Sequence, residues 1–327
     1  MDVVRFGFLT TANIGDRVLH GARKSDRVEV VAVGSRDLRR AEAHARERGL
    51  ERAYGSYEEL LADADLDAVY IALPNVFHVE WAIRALEAGK HVLCEKPLSR
   101  DPAEVERAFD AAERAGRVLM EGFMYRHHPQ MRKLRELVDD GAIGDLHVVR
   151  ATFSFVLDRP ADVRWDPELG GGSLLDVGCY CVSGCRLLAG EPEVVYAEQT
   201  LAPSGVDVRF AATLRFPNDV LGHFDCGFDT LGRSLEAVGP EGSLHVPDPW
   251  IVDTWGLELR RDGEIERIEV EKRNKYQLEL ENLADAIRGQ AEPLLGRPES
   301  VGQARALDAL LRSAADGRPV RPANPSA

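Results

Sequence analysis

The sequence contains little cysteine and no long apolar run. Its 327 residues include five cysteines, three of which crowd into CYCVSGC (Cys179, Cys181 and Cys185). An odd number in this arrangement disfavours a secreted disulfide scaffold and favours a reducing compartment, the cytoplasm. No apolar stretch approaches the length of a membrane span. The start MDVVRFGFLT leads directly into a strand pattern, so neither a membrane anchor nor a signal peptide is expected.

The cysteine cluster does not predict a metal site. Cys181 and Cys185 are one helical turn apart, Cys179 points elsewhere, and no fourth ligand is nearby in sequence. Small buried thiols are the preferred interpretation, and no metal is predicted.

Positive charge is also scarce. Lysine and arginine number 41 against 55 aspartates and glutamates, and the net charge is −14. This balance argues against a nucleic-acid-binding surface and against attraction to an anionic membrane. Hydrophobic residues make up 44% and charged residues 29% of the chain, as in a water-soluble globule.

The chain is long enough for two domains, and the first half has a pattern of its own. Short β-rich runs alternate with helical patterns, and one of these helices, DLRRAEAHARERG, should end at Gly49. The predicted strands are 3–9, 28–35, 68–74, 91–96 and 118–123. This alternation is typical of a doubly wound parallel sheet, and we assign an α/β Rossmann domain to residues 1–124.

Beyond residue 145 strand-like runs follow one another with turns between them. Few helices separate these runs, so a large, mostly antiparallel open sheet is expected. Three helices are predicted here, over SLLDVGCYCVSGCRLLAG, KYQLELENLADAIRG and SVGQARALDALLRSAADG. Residues 125–327 are therefore predicted to form an α+β domain.

The turn after the first strand, GFLTTANIG, is a candidate for binding a dinucleotide pyrophosphate at a helix N-terminus. Only the first glycine of a G-x-G-x-x-G pattern is present, because threonine takes the second position and alanine the third. An ordinary βα turn is the alternative. The candidate cofactor-binding residues here are Gly7, Thr10, Thr11, Ala12, Asn13 and Ile14.

The end of the second strand bears on the choice between NADP and NAD. An NAD site usually carries an acidic residue here for the ribose 2′-hydroxyl, whereas this chain has Ser35 and Arg36. A serine and a guanidinium suit a 2′-phosphate, so NADP is predicted, with NAD possible. The alternative is that Arg36 is solvated and Asp37 simply caps the next helix.

Several motifs together resemble the glucose–fructose oxidoreductase / inositol dehydrogenase (Gfo/Idh/MocA) family. They extend nearly end to end: GFLTTANIG, VAVGSRD, ALPNVFH, CEKPLS, MYRHHP, RWDPELGGGSLLDVGCY and NKYQLELENL. Tyr180 stands where inositol-dehydrogenase-like members have histidine. In this feature the chain resembles the branch of the family that contains dimeric dihydrodiol dehydrogenase and NADP-dependent D-xylose dehydrogenase, which has tyrosine at this position.

The resemblance implies further cofactor contacts where the AVYIALP and HVLCEK strands end. Ligands of open α/β sheets bind outside the carboxyl ends of strands, so this position is physically reasonable. For His78, a helix-face residue without a role is the alternative. The implied residues are Leu73, Pro74, Asn75, His78, Glu95 and Lys96.

The resemblance implies that Lys96, Asp176 and Tyr180 are catalytic and contact the substrate. Oxidising an alcohol requires its proton to leave as hydride departs, so a base must contact the oxygen. Tyr180 can serve only as phenolate, and its reference pKa of ~10 would be lowered by a nearby lysine ammonium. Asp176 and Tyr180 are four residues apart and share a helix face. From the residues alone, a capping box formed by Ser173 and Asp176 and a core role for Tyr180 stay open.

Further side chains are implied to face the substrate, since the family contributes sugar-contacting residues in these segments. A tryptophan supplies a flat apolar wall and charged groups supply hydroxyl partners. The candidates are Arg126, His127, Arg164, Trp165, Asp166 and Tyr276.

These observations predict an NADP(H)-dependent oxidoreductase that acts on a sugar or another polyhydroxylated alcohol. Oxidation of an aldose at C1, as in a D-xylose 1-dehydrogenase, is the leading version. A trans-dihydrodiol dehydrogenase and a keto-sugar reductase are alternatives, and a non-catalytic nucleotide sensor is a third. A homodimer or a dimer of dimers is expected, because the second sheet should leave one apolar face to cover.

Overall fold

The computed structural model describes residues 3–252 and 256–323. Contacts between Cα atoms group the chain into two compact units. The first consists of Met1–Ser99, Ala103–His127 and Arg273–Val301, and the second of Arg100–Pro102, His128–Lys272 and Gly302–Ala327. The chain thus returns to the first unit after the second sheet has been built. The domain boundary after residue 124 stays a prediction.

The first unit contains the predicted doubly wound sheet. Its six strands are parallel and lie in the order β3-β2-β1-β4-β5-β6, with the order reversing between β1 and β4. The sequence analysis did not predict β3, a three-residue strand at the sheet edge. The strands are β1 Val4–Leu9, β2 Val28–Gly34, β3 Arg52–Tyr54, β4 Ala68–Ile71, β5 His91–Glu95 and β6 Leu119–Gly122.

The second unit contains an eight-stranded sheet in the order β14-β13-β12-β11-β7-β10-β9-β8. Only the β7–β10 pair is parallel, so the expected antiparallel character is confirmed. The strand β12 was not predicted. The strands are β7 Val148–Ser154, β8 Val194–Leu201, β9 Asp207–Arg215, β10 Leu221–Gly227, β11 Gly232–Gly239, β12 Gly242–Val246, β13 Gly256–Arg261 and β14 Glu264–Glu269.

The helices bear out most of the expected pattern. The second helix ends at Gly49, which adopts the left-handed conformation that glycine tolerates best. The sixth helix was not predicted, and the last begins three residues earlier than expected. They are α1 Ile14–Ala22, α2 Leu38–Arg48, α3 Tyr57–Leu61, α4 His78–Glu87, α5 Pro102–Ala115, α6 Pro129–Asp139, α7 Cys179–Ala189, α8 Lys275–Ile287 and α9 Arg297–Asp316.

Helix α8 belongs to the first unit because it packs directly on α1. A Cβ atom on Gly21 of α1 would lie 2.7 Å from both the Gln277 amide nitrogen and the Tyr276 Cβ. The glycine therefore permits a close approach of the two helix backbones. This packing carries Tyr276 to the Rossmann sheet, although 254 residues separate it from the end of α1.

Candidate functional site

The turn between β1 and α1 is shaped by a threonine in place of the missing glycine. The buried Thr10 hydroxyl donates to the Ala72 carbonyl at 3.0 Å and accepts from the Ala12 amide at 2.8 Å. These bonds join the turn to the end of β4. Asn13 makes no side-chain capping bond, and the Gly15 and Asp16 amides donate to the Ala12 and Asn13 carbonyls, so the pyrophosphate site expected at this helix start stays a prediction.

The other candidate residues of this turn differ in exposure. Thr11, Ala12 and Ile14 are half-buried. Gly7 lies inside β1, where a Cβ would approach Leu66 Cδ1 to 2.7 Å and Leu60 Cδ2 to 2.9 Å. Side-chain packing therefore explains the absence of a Cβ at Gly7, and its contact with a cofactor stays a prediction.

The end of β2 brings two guanidinium groups near one tyrosine. Ser35 is buried, and its amide donates to the Tyr54 carbonyl at 3.1 Å. Arg36 and Arg40 are exposed, and both act to lower the pKa of Tyr57, although burial raises it overall. Two cations at this strand end fit a 2′-phosphate. The sequence analysis missed Arg40, although it follows Arg36 by four residues, about one helical turn.

His78 connects the ends of β4 and β5. Its imidazole is buried, with Nδ1 2.9 Å from the Pro97 carbonyl and Nε2 2.8 Å from the Leu73 carbonyl. Burial lowers the pKa of His78, while the two carbonyls act in the opposite direction. A neutral ring has one N–H, so it donates to one of these carbonyls at a time. The side chain thus links the backbones on which Leu73 and Lys96 lie.

Lys96 follows β5 in a segment held from both sides. The Lys96–Pro97 peptide bond is cis. The Leu98 amide donates to Glu121 Oε1 at 2.8 Å, and Glu121 is itself buried in β6. Together with the His78 contact, this bond fixes the Pro97–Leu98 peptide unit that directly follows Lys96.

Four side chains, which we call the carboxyl cluster, lie together in the first unit: Tyr70, Glu95, Tyr276 and Glu279. The Tyr70 hydroxyl donates to Glu95 Oε1 at 2.7 Å. Burial, and then the charge of Glu95, raise the pKa of Glu279 well above its ordinary value. Burial raises the pKa of Tyr276, and both glutamates add to this effect. At 4% exposure, Tyr276 has little surface to offer, and its contact with substrate stays a prediction.

Arg126 and His127 lie in the short 3-10 turn Met124–His127 and are both buried. Arg126 Nη1 is 3.3 Å from Glu299 Oε2, in the first turn of α9. Within the first unit the Arg126 guanidinium therefore has a carboxylate partner. Its predicted role toward substrate stays untested.

In the second unit, the Gly170–Gly172 run allows close contact between its own backbone and that of the RWDP segment. Gly171 donates its amide to the Asp166 carbonyl at 2.9 Å, and Gly172 donates to the Arg164 carbonyl at 3.0 Å. A Cβ on Gly171 would lie 2.4 Å from the Arg164 oxygen. The glycines therefore hold the RWDP segment against the start of the helix that carries Tyr180.

Asp176 is paired with Arg164, and the capping box is not formed. Arg164 Nε is 2.7 Å from Asp176 Oδ2, and Arg164 Nη1 is 3.0 Å from Asp162 Oδ1. These two carboxylates raise the pKa of Arg164. The expectation that Ser173 and Asp176 close the first turn is wrong, because the Ser173 hydroxyl donates instead to Asp207 Oδ2, at 2.6 Å.

Asp176 and Tyr180 do not lie on one regular α-helix. Leu174–Gly178 is a π-helical turn, and α7 begins only at Cys179. The wider turn changes the angular relation that four-residue spacing has in an α-helix. The shared face was derived from α-helical geometry, and in this wider turn it stays a prediction.

Tyr180 lies in an aromatic pocket of the second unit. Its ring centroid is 5.3 Å from that of Phe153 and 6.0 Å from that of Trp250, and the residue is 6% exposed. Trp165, in contrast, is half-buried, and its ring centroid lies 5.5 Å from that of Phe228. Its indole N–H donates to the Arg159 carbonyl at 3.0 Å. These contacts hold the indole ring in place, and its role as a wall of the substrate site stays a prediction.

The described part of the chain, 3–252 and 256–323, contains no group of three or more histidine, cysteine or acidic side chains that could hold a metal ion. Cys179, Cys181 and Cys185 are all buried, and burial raises the pKa of Cys185 to about 12. Among the helices described over these ranges, none has the length and apolar character needed to cross a bilayer.

The structure thus assembles two sets of candidate residues, each within its own unit. In the first, the bonds of His78 and Glu121 hold the Lys96 segment, and Glu95 joins the carboxyl cluster with Tyr276. In the second, Asp176 and Arg164 form a pair, and Trp165 lies next to Arg164 in the same segment. Glu279, Glu121 and Asp207 were missed in the sequence because their importance lies in distant partners.

Comparison with known proteins agrees with this division. Residues 4–123 match the model of an oxidoreductase family with an NAD-binding Rossmann fold, and residues 131–245 match the GFO/IDH/MocA C-terminal domain. A D-xylose 1-dehydrogenase (NADP(+)) of Haloferax volcanii is 41% identical over 96% of this chain and 98% of the relative.

Two further relatives have activities different from that of the xylose dehydrogenase. A trans-1,2-dihydrobenzene-1,2-diol dehydrogenase of Mus musculus is 38% identical over 68% of this chain and 67% of the relative. The structure of a 3-ketoreductase from Actinomadura kijaniata, in complex with NADP and TDP-benzene, superimposes with a TM-score of 0.90. It is 31% identical and covers 95% of this chain and 98% of its own. The chain belongs to the Gfo/Idh/MocA family of oxidoreductases.

Proposed function

We propose that this oxidoreductase oxidises a neutral aldose at C1 to the lactone with NADP as hydride acceptor, as a D-xylose 1-dehydrogenase does. The observation that carries the proposal is the 41% identity to such an enzyme over nearly the whole of both chains. The presence of Lys96, Asp176 and Tyr180 supports it, because an alcohol oxidation requires a base and partners for hydroxyl groups.

We propose that Arg36 and Arg40 bind the 2′-phosphate of NADP. Both are exposed near Tyr57, and no carboxylate precedes them at the end of β2. A guanidinium attracts a phosphate dianion and gives no such advantage to NAD, which has a ribose hydroxyl at that position. The amides at the start of α1 would hold the pyrophosphate.

In the proposed reaction NADP would supply the hydride acceptor, and the side chains of this protein would take up the proton. Tyr180 removes the proton of the reacting hydroxyl as a phenolate. The ammonium of Lys96 would favour that phenolate and would also donate to the substrate oxygen. Asp176, paired with Arg164, would accept hydrogen bonds from neighbouring sugar hydroxyls.

A panel assay with purified protein tests the proposal. D-xylose, other aldoses, polyols and a trans-dihydrodiol would each be offered with NADP⁺ and with NAD⁺. We expect the highest kcat/KM for an aldose with NADP⁺, with a lactone as the product. Preference for the dihydrodiol would instead favour the dihydrodiol dehydrogenase activity of the mouse relative. Turnover of keto-sugars with NADPH would favour the activity of the 3-ketoreductase. No turnover in the panel would favour the nucleotide-sensor alternative.

We propose a homodimer or a dimer of dimers in the cytoplasm, but for a reason other than the one expected from the sequence. The solvent-facing side of the second sheet carries polar pairs in its central strands, beside exposed apolar side chains such as Leu221 and Leu201. Arg150 pairs with Glu236 at 2.7 Å, and Thr152 donates to Asp225 at 2.9 Å. A pairing of such faces would rest on hydrogen bonds and charge pairs. Light scattering that shows a monomer with full activity would contradict it.

A further inference from the structure

The buried carboxylate of Asp207 lies at the start of the helical segment that carries Asp176 and Tyr180. Asp207 opens β9 and is 6% exposed. Its Oδ2 accepts from the Ser173 hydroxyl at 2.6 Å and from the Leu174 amide at 2.7 Å. Burial raises the pKa of Asp207, and these hydrogen bonds act in the opposite direction.

No ion pair among the described residues includes Asp207, so hydrogen bonds rather than a cation hold this buried group. Amides at the start of a helix are unpaired within the helix, and they favour an acceptor or negative charge. Asp207 therefore acts as a helix cap supplied from a strand 33 residues further along the chain. Asp207 thus caps the helix start in place of a capping box between Ser173 and Asp176.

Gly172 shows how closely this carboxylate is fitted. Its φ is +109°, and a Cβ at this position would lie 2.2 Å from Asp207 Oδ1. The last glycine of the triple-glycine run is thus required both by its backbone conformation and by the carboxylate beside it.

The segment held by Asp207 needs an outside anchor. Leu174–Gly178 forms a π-helical turn, a rare arrangement that is common at functional sites. Asp176 lies in this turn, and Tyr180 follows its end by two residues. A shift at Ser173 or Leu174 would be passed along the backbone to both side chains.

We propose that Asp207 is a positioning residue, whose carboxylate sets the start of this segment and thereby the placement of Asp176 and Tyr180 for reaction. The inference rests on the catalytic roles proposed for those two residues. Asp207 itself takes no part in the chemistry. A misplacement of about 1 Å in a catalytic group can lower the rate by ~10²-fold, so a remote anchor can control turnover.

The test compares Asp207→Asn with Asp225→Asn. The first keeps the side-chain volume but removes the negative charge, so that Ser173 and Leu174, which both donate to Oδ2, are left with a neutral amide oxygen as the acceptor and the second oxygen becomes an NH₂. The second removes a carboxylate from the adjacent strand β10, where Asp225 is exposed and accepts from Thr152. Ser173→Ala, which deletes one of the two donors, is a milder variant for use if Asp207→Asn does not fold.

Two readouts separate positioning from simple destabilisation. For folded protein, we expect Asp207→Asn to lower kcat with D-xylose by ~10- to 100-fold, with NADP⁺ dissociation changed less than ~2-fold. Hydrogen exchange of the peptide spanning 172–180 should accelerate at least ~10-fold, and this measurement needs no substrate. Asp225→Asn should change neither quantity, and Ser173→Ala should change both in the same direction to a smaller extent.

The proposal would be overturned by a kcat near that of the wild type in folded Asp207→Asn, or by unchanged exchange in 172–180. A lower melting temperature with unchanged kcat would show a purely structural cap and would also overturn it. Tyr180→Phe, assayed in parallel, keeps the two hypotheses apart. If Tyr180→Phe stays active, the proposed function of Tyr180 is wrong, whereas an inactive Tyr180→Phe beside a normal Asp207→Asn refutes the positioning role alone.

Discussion

Replacing Glu279 by glutamine should make the protein progressively more stable, relative to the wild type, as pH rises. Glu279 is 1% exposed, and its Oε1 has no hydrogen-bond partner in the described structure. Burial and the nearby charge of Glu95 raise its pKa well above 4.5. The folded protein therefore holds a proton on this carboxyl at pH values where the unfolded chain has lost it.

The sign and size follow from proton linkage. Between the unfolded pKa and the raised folded pKa, the folded state binds more protons than the unfolded state, so wild-type stability falls as pH rises. One proton corresponds to ~1.4 kcal/mol per pH unit in this window. Glutamine is neutral at every pH and has no such slope. The difference in the free energy of unfolding, variant minus wild type, should therefore grow by up to ~1.4 kcal/mol per unit above pH 5.

Urea unfolding followed by tryptophan fluorescence at pH 5, 6 and 7 measures this difference. Glu87→Gln, at an exposed glutamate at the end of α4 in the same unit, supplies the baseline for removing a surface carboxylate. A difference that stays constant from pH 5 to pH 7, or shrinks, would mean that Glu279 is ionised in the folded protein. The account of the carboxyl cluster would then be wrong.

Four other substitutions address the proposed reaction and its scaffold. Lys96→Ala and Tyr180→Phe should each lower kcat by at least ~10²-fold with NADP binding little changed, as measured by initial rates and by cofactor titration; near-normal turnover in either would refute the proton-transfer scheme. Arg36→Ala should weaken NADP binding by roughly one to two decades while sparing NAD, since only NADP carries the 2′-phosphate; equal losses for both cofactors would contradict the assignment. Gly172→Ala should destabilise the protein by at least ~1–3 kcal/mol in thermal or urea unfolding, because its Cβ would collide with Asp207 and its φ is positive; unchanged stability would show that the carboxylate can move aside.

Local sequence was sufficient for most of the secondary structure. The alternation of apolar runs and helical patterns predicted five strands of the first sheet and the antiparallel character of the second. Gly49 was predicted to end α2 and does so with φ +65°, and Asp37, named as a cap only in the alternative to an NADP-binding strand end, accepts from the Arg39 amide. Such features depend on side chains within a few residues of the backbone they affect, so the sequence records them directly.

Short elements and distant partners were beyond the reach of the same reasoning. The edge strand Arg52–Tyr54 has only three residues, too few to show a periodicity, and it forms by pairing with β2. Ser173 and Asp176 had the spacing of a capping box, yet a buried aspartate from β9 captured the Ser173 hydroxyl and Arg164 captured the Asp176 carboxylate. The local spacing suggested a bond between Ser173 and Asp176, whereas in the folded chain each of them bonds to a residue further away in sequence.

The sequence by itself determined the family, the fold class and the residue types available for chemistry at Lys96 and Tyr180. Only the tertiary structure decided what surrounds other candidates: Tyr276 lies beside a glutamate whose pKa is raised by burial, and Arg126 pairs with Glu299, 173 residues away. The physical reason is that a carboxyl's charge depends on its solvation and on nearby charges. Those neighbours are brought together by the path of the chain through the sheet, which no local pattern encodes.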